Sequence, residues 1–292
     1  GSPLLAAGGN GRAVAAGRLD ADGKTDLVYV TQGGSLYVLR GDGAGTFAAT
    51  PGSPLAIGSA PQIDVGRLDD GPTDDIALGI STPSSVRVLR SDSAGALTAA
   101  PGGDVSTGTN YNSIPHIADL DNDGDVDIVY ACQTPGYVLN NGDGTFAAAV
   151  PMPGNFTDCR NMEIADMNGD GILDAVGSSY YAGQHSQLFL GNGDGSFATV
   201  QHLYGPGNTY SIPTDADGDG DPDMVSTYDY DGTMYWYAND GTGVFGTAQE
   251  VSLTVYGANC LYSADLDGDG DQDLLSASGS DDKIAWYRND GL

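Results

Sequence analysis

An acidic pattern with the spacing of a metal-binding loop occurs six times in the 292-residue chain. It covers residues 18–26, 67–75, 119–127, 166–174, 215–223 and 265–273, which we call loops 1 to 6. In loops 3 to 6, Asp or Asn stands at positions 1, 3, 5 and 9, with glycine at position 6. Such a turn brings several oxygen atoms together, and a flexible cage of oxygen ligands suits calcium better than magnesium. Loops 3 to 6 therefore predict calcium sites.

The predicted ligands are the side chains at positions 1, 3, 5 and 9 and the backbone carbonyl at position 7. They belong to Asp119, Asp121, Asp123, Asp125 and Asp127 in loop 3; Asp166, Asn168, Asp170, Ile172 and Asp174 in loop 4; Asp215, Asp217, Asp219, Asp221 and Asp223 in loop 5; and Asp265, Asp267, Asp269, Asp271 and Asp273 in loop 6.

Loops 1 and 2 carry an arginine, Arg18 or Arg67, at position 1. An arginine beside the remaining carboxylates can replace the ion with an internal salt bridge. Loop 2 has also lost the aspartate of position 5 and the glycine of position 6, so no metal is predicted there. Loop 1 keeps Asp20, Asp22 and Asp26. The chain is thus expected to bind about four calcium ions, with a fifth site left open in loop 1.

The loops recur at a period that is typical of a propeller or a solenoid, because their starts lie 47 to 52 residues apart. Each unit has an apolar segment before the loop, a second directly after it, a third after a polar turn, and a weaker fourth. In the third unit the first three are IPHIA (114–118), IVYAC (128–132) and GYVL (136–139). Four short strands in a unit of this length predict one blade of a β-propeller.

We therefore predict an all-β fold, with residues 1–292 forming a single domain, a six-bladed β-propeller of four-stranded blades. Residues 1–20 resemble residues 52–69, which span the fourth strand of one unit and the first strand of the next. Residues 1–10 are accordingly expected to join the last blade as its outer strand and to close the ring. The blades are predicted at approximately 11–57, 58–106, 107–154, 155–204, 205–254 and 255–292.

The charge of the chain restricts its partners. The net charge is −30, and only Glu163 and Glu250 among the 40 acidic residues are glutamates. Short aspartates fit turns in which the side chain bonds its own backbone, although a general acidic surface suited to high salt remains an alternative. Nucleic acid is not expected as a partner, because no basic patch is present. No apolar stretch approaches the length of a membrane span.

The acidic loop after a first strand, combined with a glycine-rich turn after the third, resembles the FG-GAP/VCBS repeat. The turns that carry this resemblance are GDGAGTF, NNGDGTF, GNGDGSF and NDGTGVF. The family includes the calcium-bearing propeller of integrin α subunits and some fungal lectins, and its members most often have seven blades. The resemblance covers essentially the whole chain. It implies that the calcium loops lie on one face and that the second-to-third turns and inter-blade connections lie on the opposite face.

That opposite face is predicted to be rich in tyrosine in the third to sixth blades. Tyrosine beside asparagine and aspartate suits sugar recognition, since it offers apolar stacking with directional hydrogen bonds. Tyrosines also anchor protein loops, and some can simply pack between blades. The candidate ligand-binding residues are Tyr111, Asn112, Tyr180, Tyr181, His185, Tyr210, Tyr228, Tyr230 and Tyr256.

Together these features predict a secreted or cell-surface binding module, because extracellular calcium modules bind at about 0.1–1 mM. A lectin that binds a glycan is favoured, and a cell-adhesion module that binds an extracellular protein is the alternative. A polysaccharide lyase using Tyr181 and His185 is the third possibility. Enzyme activity is not favoured, since no GxSxG motif occurs. A disulfide between Cys132 and Cys159 and the oligomeric state are left open.

Overall fold

The computed structural model describes residues 10–59, 62–108, 113–154, 156–179, 186–203, 210–228, 232–280 and 282–291. These residues form antiparallel β-sheets, and they include no helix. Accordingly, no helix within these ranges has the length and apolar character to cross a membrane. Contacts divide the chain into two compact units, one of Gly1–Asp119 and Asp123–Pro151, and the other of Leu120–Asn122 and Met152–Leu292.

The first unit contains three sheets. The first sheet consists of β1 (Gly11–Gly17), β2 (Asp26–Thr31), β3 (Ser35–Gly41), β4 (Phe47–Ala49) and β5 (Leu55–Ala56). The second consists of β6 (Gln62–Gly66), β7 (Asp75–Ser81), β8 (Ser84–Ser91), β9 (Leu97–Ala99) and β10 (Val105–Ser106). The third consists of β11 (Ile114–Ala118), β12 (Asp127–Ala131), β13 (Gly136–Val138) and β14 (Val150–Pro151).

The second unit also contains three sheets. The fourth sheet consists of β15 (Cys159–Ala165), β16 (Asp174–Ser179), β17 (Ser186–Gly191) and β18 (Phe197–Leu203). The fifth consists of β19 (Tyr210–Thr214), β20 (Asp223–Tyr228), β21 (Thr233–Tyr237) and β22 (Gln249–Ser252). Within the described residues the sixth has three strands, β23 (Ala258–Ala264), β24 (Asp273–Ser278) and β25 (Lys283–Tyr287).

The same local order recurs in every sheet and confirms the predicted all-β arrangement of short antiparallel strands. Each acidic loop joins the first strand to the second, and the last residue of the loop opens the second strand. In the fifth sheet, for example, Thr214 pairs with Asp223 across the two ends of loop 5. The loops therefore begin and end on paired strands, which fixes the positions of their terminal residues.

Neighbouring sheets within each unit pack face to face through apolar side chains. In the first unit, Val28 and Leu36 of the first sheet share a core with Ile63 and Ile76 of the second. In the second unit, Val225 of the fifth sheet shares a core with Leu261 of the sixth. The second strands are the most buried, and every residue of β12 and β16 is buried. This packing supports the loops at the strand ends.

The structure resolves the cysteine pair that the sequence left open. Cys132 and Cys159 are thiols and not a disulfide; each Sγ donates a hydrogen bond to a backbone carbonyl, of Thr134 and of Asn161 respectively. Trp236 packs, partly buried, against the core of the fifth and sixth sheets, whereas Trp286 is 51% exposed.

Candidate metal centre

The aspartate at position 9 is buried in all six loops. It is the first residue of each second strand, and no more than 1% of its surface is exposed in any copy. In loop 5, Asp223 Oδ2 accepts a hydrogen bond from the backbone N–H of Ala216, and Oδ1 accepts one from the backbone N–H of Asn239. One carboxylate thus connects the start of its loop to a residue just beyond the end of the third strand of the same sheet.

Both hydrogen bonds recur in other loops, including loop 1, which has lost its position-1 aspartate. Asp26 accepts from the N–H groups of Leu19 and Gly41. In loop 6, Asp273 accepts from the N–H groups of Leu266 and Asn289. Position 9 was predicted only as a calcium ligand, so this structural role is one that the sequence prediction lacked. The sequence does contain a sign of the structural role, since loops 1 and 2 keep aspartate at position 9 although arginine has replaced the position-1 aspartate.

The aspartate at position 1 organises the turn in loops 4 to 6. In loop 5, Asp215 Oδ1 accepts from the N–H of Gly218 at 2.8 Å, and Oδ2 accepts from the N–H of Gly220 at 3.1 Å. Loops 4 and 6 repeat both bonds. The side chains at positions 3 and 5 each accept from the backbone two residues later, as in Asx-turns. The loop backbone therefore orients its own carboxylates.

Backbone conformation separates loops 3 to 6 from loops 1 and 2. Position 4 has positive φ in loops 3 to 6, where it is Asn122, Gly169, Gly218 or Gly268. Position 6 is a glycine of positive φ in the same four loops and in loop 1. Loop 2 has neither, and it has proline at position 6, which cannot adopt positive φ. Loops 3 to 6 thus share a doubly left-handed turn that loops 1 and 2 lack.

Carboxylate oxygens converge in three of these turns. They lie within 4.8 Å of one another in Asp119, Asp121 and Asp127, in Asp215, Asp217 and Asp223, and in Asp265, Asp267 and Asp269. In loop 5, burial raises the pKa of Asp217, and the nearby Asp223, Asp219 and Asp215 raise it further. In loop 3, Asp119 Oδ1 is buried and has no hydrogen-bond partner among the described residues. Crowded anionic oxygens and an unsatisfied carboxylate oxygen both fit a hard cation.

Loop 4 has a related but less acidic cluster, because position 3 is Asn168. Its Nδ2 donates to Asp170 Oδ2 at 3.0 Å. Burial raises the pKa of Asp174 to about 6, and the charges of Asp170 and Asp166 also raise it. Its oxygen-rich set of donors is still compatible with calcium.

The side chain at position 7 lies beside the glycine-rich turn that follows the third strand. A Cβ on Gly241 would lie 2.3 Å from Asp221 Oδ2, and Gly142 and Gly291 stand in the same relation to Asp125 and Asp271. In loop 4, Ile172 occupies this place beside Gly193. These contacts account for the glycines of the repeated turn and are consistent with position 7 offering calcium only its carbonyl.

The arginines that pair with loops 1 and 2 are not the ones that the sequence indicated. Arg67 Nε donates to the carbonyl of Gly71, and Arg18 forms no ion pair among the described residues. The cation comes from the end of the third strand instead. Arg40 Nε lies 3.2 Å from Asp20 Oδ2, and Arg40 Nη1 lies 2.5 Å from Asp26 Oδ2.

Loop 2 repeats this arrangement with Arg90, which forms an ion pair with Asp69. Sequence reasoning placed the salt bridge at position 1 because that residue belongs to the loop. The arginine that forms the ion pair lies 14 residues after Asp26 in loop 1 and 21 residues after Asp69 in loop 2. Only strand pairing brings it to the loop.

Loop 6 also receives an arginine from the end of its third strand. Arg288 Nε lies 3.0 Å from Asp267 Oδ2, and Arg288 Nη2 lies 3.5 Å from Asp269 Oδ2. The same Nε lies 2.5 Å from Asp290 Oδ1. Loop 6 therefore combines the backbone of loops 3 to 5 with a cation placed as in loops 1 and 2.

Each tryptophan lies beside one of the last two loops. Trp236 Nε1 donates to Asp223 Oδ2 at 2.9 Å. A hydrogen bond from Trp286 is among the contacts that lower the pKa of Asp273, the largest being the backbone N–H of Asn289. The indoles are thus natural reporters of loops 5 and 6.

Three of the predicted ligand-binding tyrosines lie within the described residues. Tyr256 is 48% exposed and packs against Gly232, whereas Tyr228 and Tyr210 are partly buried. Burial raises the pKa of Tyr210, and Glu163 beside it raises it further, so packing accounts for much of this side chain. Tyr111, Asn112, Tyr180, Tyr181, His185 and Tyr230 lie outside the described residues.

Comparisons with known proteins agree with the repeat. Residues 215–276, which contain loops 5 and 6, match the FG-GAP-like repeat. No curated protein sequence matches the chain significantly. Among solved structures, an Agrocybe aegerita lectin that recognises non-reducing terminal N-acetylglucosamine is 22% identical, with a TM-score of 0.70 over 95% of this chain and 77% of the lectin.

A second solved structure, BBS1N in complex with ARL6DN, is 13% identical, with a TM-score of 0.62 over 96% of this chain and 79% of that one. At these identities the likeness establishes the fold, which is propeller-like. The match over loops 5 and 6 establishes the repeat. The chain is therefore a propeller-like protein that carries the FG-GAP-like repeat.

Proposed function

We propose that this protein is a secreted, calcium-stabilised β-propeller lectin. The observation that carries the proposal is the clustering of carboxylates on doubly left-handed turns in a fold similar to that of an N-acetylglucosamine-recognising lectin. Calcium would stabilise the conformation of each turn, and each turn would then keep the ends of the first and second strands in place.

The calcium part rests on electrostatics. Converging carboxylates repel one another, and a divalent cation removes that repulsion while accepting the oxygens that the loop backbone has oriented. Positions 1, 3, 5 and 9 would supply the side-chain ligands. Extracellular modules of this kind need calcium near the millimolar range, which supports secretion or display at the cell surface.

The carbohydrate part rests on the similar lectin and on the exposed face of Tyr256. A half-exposed tyrosine ring offers a flat apolar surface with a hydroxyl at its edge, which is the combination that sugar rings bind. We place the ligand on the face opposite the calcium loops, near Tyr256 and Tyr228, because Gly232 packs against the Tyr256 ring and donates its N–H to the carbonyl of Tyr228.

A glycan array that includes oligosaccharides ending in N-acetylglucosamine tests this part. We expect glycan binding that Tyr256→Ala weakens at least about tenfold, as expected for loss of a stacking contact of about 1.4 kcal/mol. Tyr262→Ala, which removes another exposed tyrosine, is the matched control. Binding of extracellular proteins with no glycan bound at high protein concentration would contradict the lectin proposal and favour an adhesion module.

We also propose that the six sheets are the six blades of one ring-shaped domain. Residues 1–10 would add as the fourth strand beside β25, the last strand of the three-stranded sixth sheet. Paired cysteines introduced at Leu4 and Ile284, which correspond to the Leu55–Leu36 pair of the first sheet, should then cross-link on oxidation, whereas a cysteine at Leu4 paired with one at Val244 should not. Absence of the first cross-link would contradict ring closure.

A further inference from the structure

The six loops fall into two classes according to one residue at the end of the third strand. This residue comes one before the residue whose N–H contacts the position-9 aspartate, and it is either the penultimate residue of the strand or the first residue after it. It is arginine at loops 1, 2 and 6. It is Leu139, Leu190 or Ala238 at loops 3, 4 and 5. Every one of the three arginines is within ion-pair distance of its own loop's carboxylates.

We infer that this strand-end arginine is a built-in cation that replaces calcium in loops 1 and 2 and competes with calcium in loop 6. The inference rests on the proposed calcium binding and sharpens it. Loops 3, 4 and 5 are the strong sites, loop 6 is a weaker one, and loops 1 and 2 need no ion.

The guanidinium groups contact carboxylates that are proposed to bind the ion in the other loops. Arg40 contacts the position-3 and position-9 carboxylates of loop 1, and Arg288 contacts those at positions 3 and 5 of loop 6. The same positions supply calcium ligands in the proposed sites. A carboxylate that is already in a charge-assisted hydrogen bond is less available to a metal, because the two cations share its negative charge.

Exposure of the arginines distinguishes replacement from competition. The Arg40 and Arg90 side chains are 20% and 30% exposed, whereas Arg288 is 54% exposed. Arg40 is held further by donating from Nη2 to the carbonyl of Gly95 in the second sheet, at 2.9 Å. Arg288 is also paired with Asp290, which is 76% exposed and outside the loop, and it can keep this partner when the loop 6 carboxylates are released to an ion.

The backbone of each loop agrees with this assignment. Loop 6 keeps positive φ at positions 4 and 6, as loops 3 to 5 do. Loop 1 has positive φ only at position 6, and loop 2 has it at neither position. Where the arginine is held firmly, the turn has lost the calcium-type conformation; where it is loosely held, the turn has kept it.

The two tryptophans allow the two loops to be measured separately. Trp286→Phe leaves Trp236 as the only tryptophan, beside loop 5, and Trp236→Phe leaves Trp286 beside loop 6. Each variant is depleted with EGTA and titrated with calcium while its fluorescence is recorded. Calorimetric titration of the same samples counts the sites independently of any fluorescence change.

We expect the calcium Kd at loop 6 to exceed that at loop 5 by about fivefold, the largest factor that one exposed ion pair ordinarily supplies. Arg288→Leu introduces the residue found at the same position in the third and fourth sheets. It should lower the loop 6 Kd by about fivefold. Ala238→Arg should raise the loop 5 Kd by a similar factor.

Arg12→Leu is the control, because it removes the same charge from β1 and leaves every loop unchanged. An unchanged loop 6 Kd in Arg288→Leu, with calcium binding normally at loop 5, would overturn the inference and leave the proposed function intact. If Arg12→Leu lowered the loop 6 Kd by the same factor as Arg288→Leu, that result would also overturn the inference, since the effect would then come from net charge. No calcium binding at either loop by calorimetry would overturn the proposed function and this inference together.

Discussion

Loops 5 and 6 are adjacent copies of one sequence pattern, and they differ mainly in a residue outside that pattern. Both have aspartate at positions 1, 3, 5, 7 and 9, and both have glycine of positive φ at positions 4 and 6. Ala238 follows the third strand in the fifth sheet, whereas Arg288 follows it in the sixth and pairs with Asp267 and Asp269. A site that looks intact in its own nine residues can therefore already contain a cation.

Loop 1 shows what such an arginine leaves behind when the position-1 aspartate is also gone. Asp26 still accepts its two backbone hydrogen bonds, and Asp20 and Asp22 still form their turns. The loop thus keeps its structural bonds while Arg40 supplies the positive charge. Two functions are separable within one repeat: position 9 connects strands in every loop, and positions 1, 3 and 5 gather charge.

Removal of calcium should have the largest effect and should act through loops 3 to 5. With free calcium tenfold above Kd, each site contributes about 1.4 kcal/mol, so three sites contribute about 4 kcal/mol. EGTA should therefore lower Tm by roughly 10 °C, which differential scanning calorimetry measures. Re-addition of magnesium should restore little of this loss. A Tm that is the same in calcium and EGTA would contradict calcium stabilisation.

Loss of a position-9 aspartate should be next in size, and it should cost stability even in EGTA, because the structural hydrogen bonds of this residue do not depend on calcium. Asp223→Ala in loop 5 and Asp26→Ala in loop 1 each leave two buried N–H groups without acceptors, at a cost of about 3 kcal/mol in the free energy of unfolding. Urea unfolding in EGTA measures both. Asp217→Ala, at position 3, is the control and should lose stability in calcium but not in EGTA. A calcium-dependent loss in Asp26→Ala would show that loop 1 also binds the ion.

The change in stability that one pH unit produces through loop 2 should be the smallest of these effects. Burial raises the pKa of Asp75 to about 6, above its ordinary value of 3.8, although hydrogen bonds from Ser91 and Leu68 oppose the shift. The folded state therefore binds the proton more tightly, so this group's contribution to stability is highest at low pH. That contribution falls as the pH rises from about 4 to about 6, by at most about 1.4 kcal/mol per unit.

The stability of the parent protein minus that of Asp75→Asn should fall over this pH range and then become constant. Urea unfolding at a series of pH values in EGTA measures the difference. A difference that stays flat, or that rises with pH, would show that the ionised carboxylate is not disfavoured at this position.

The local features of the fold could be predicted from sequence, and the long-range ones could not. The strands and acidic loops repeat, so segments such as IVYAC (128–132) and the turn after them are recognisable in isolation. The N–H groups that bind Asp26 and Asp223 belong to Gly41 and Asn239, at the end of the third strand or just beyond it. Only the pairing of strands brings them to the carboxylates. Arg18 was expected to carry the salt bridge because it belongs to the loop, but Arg40 does so.

Anomalous diffraction from crystals grown with calcium near 1 mM, the upper range for extracellular modules, would locate the bound ions loop by loop. We expect strong calcium peaks in loops 3, 4 and 5, a weak or partly occupied peak in loop 6, and the guanidinium groups of Arg40 and Arg90 in place of ions in loops 1 and 2. Equal peaks in all six loops, or a full peak in loop 6 with Arg288 still paired to Asp267, would contradict it.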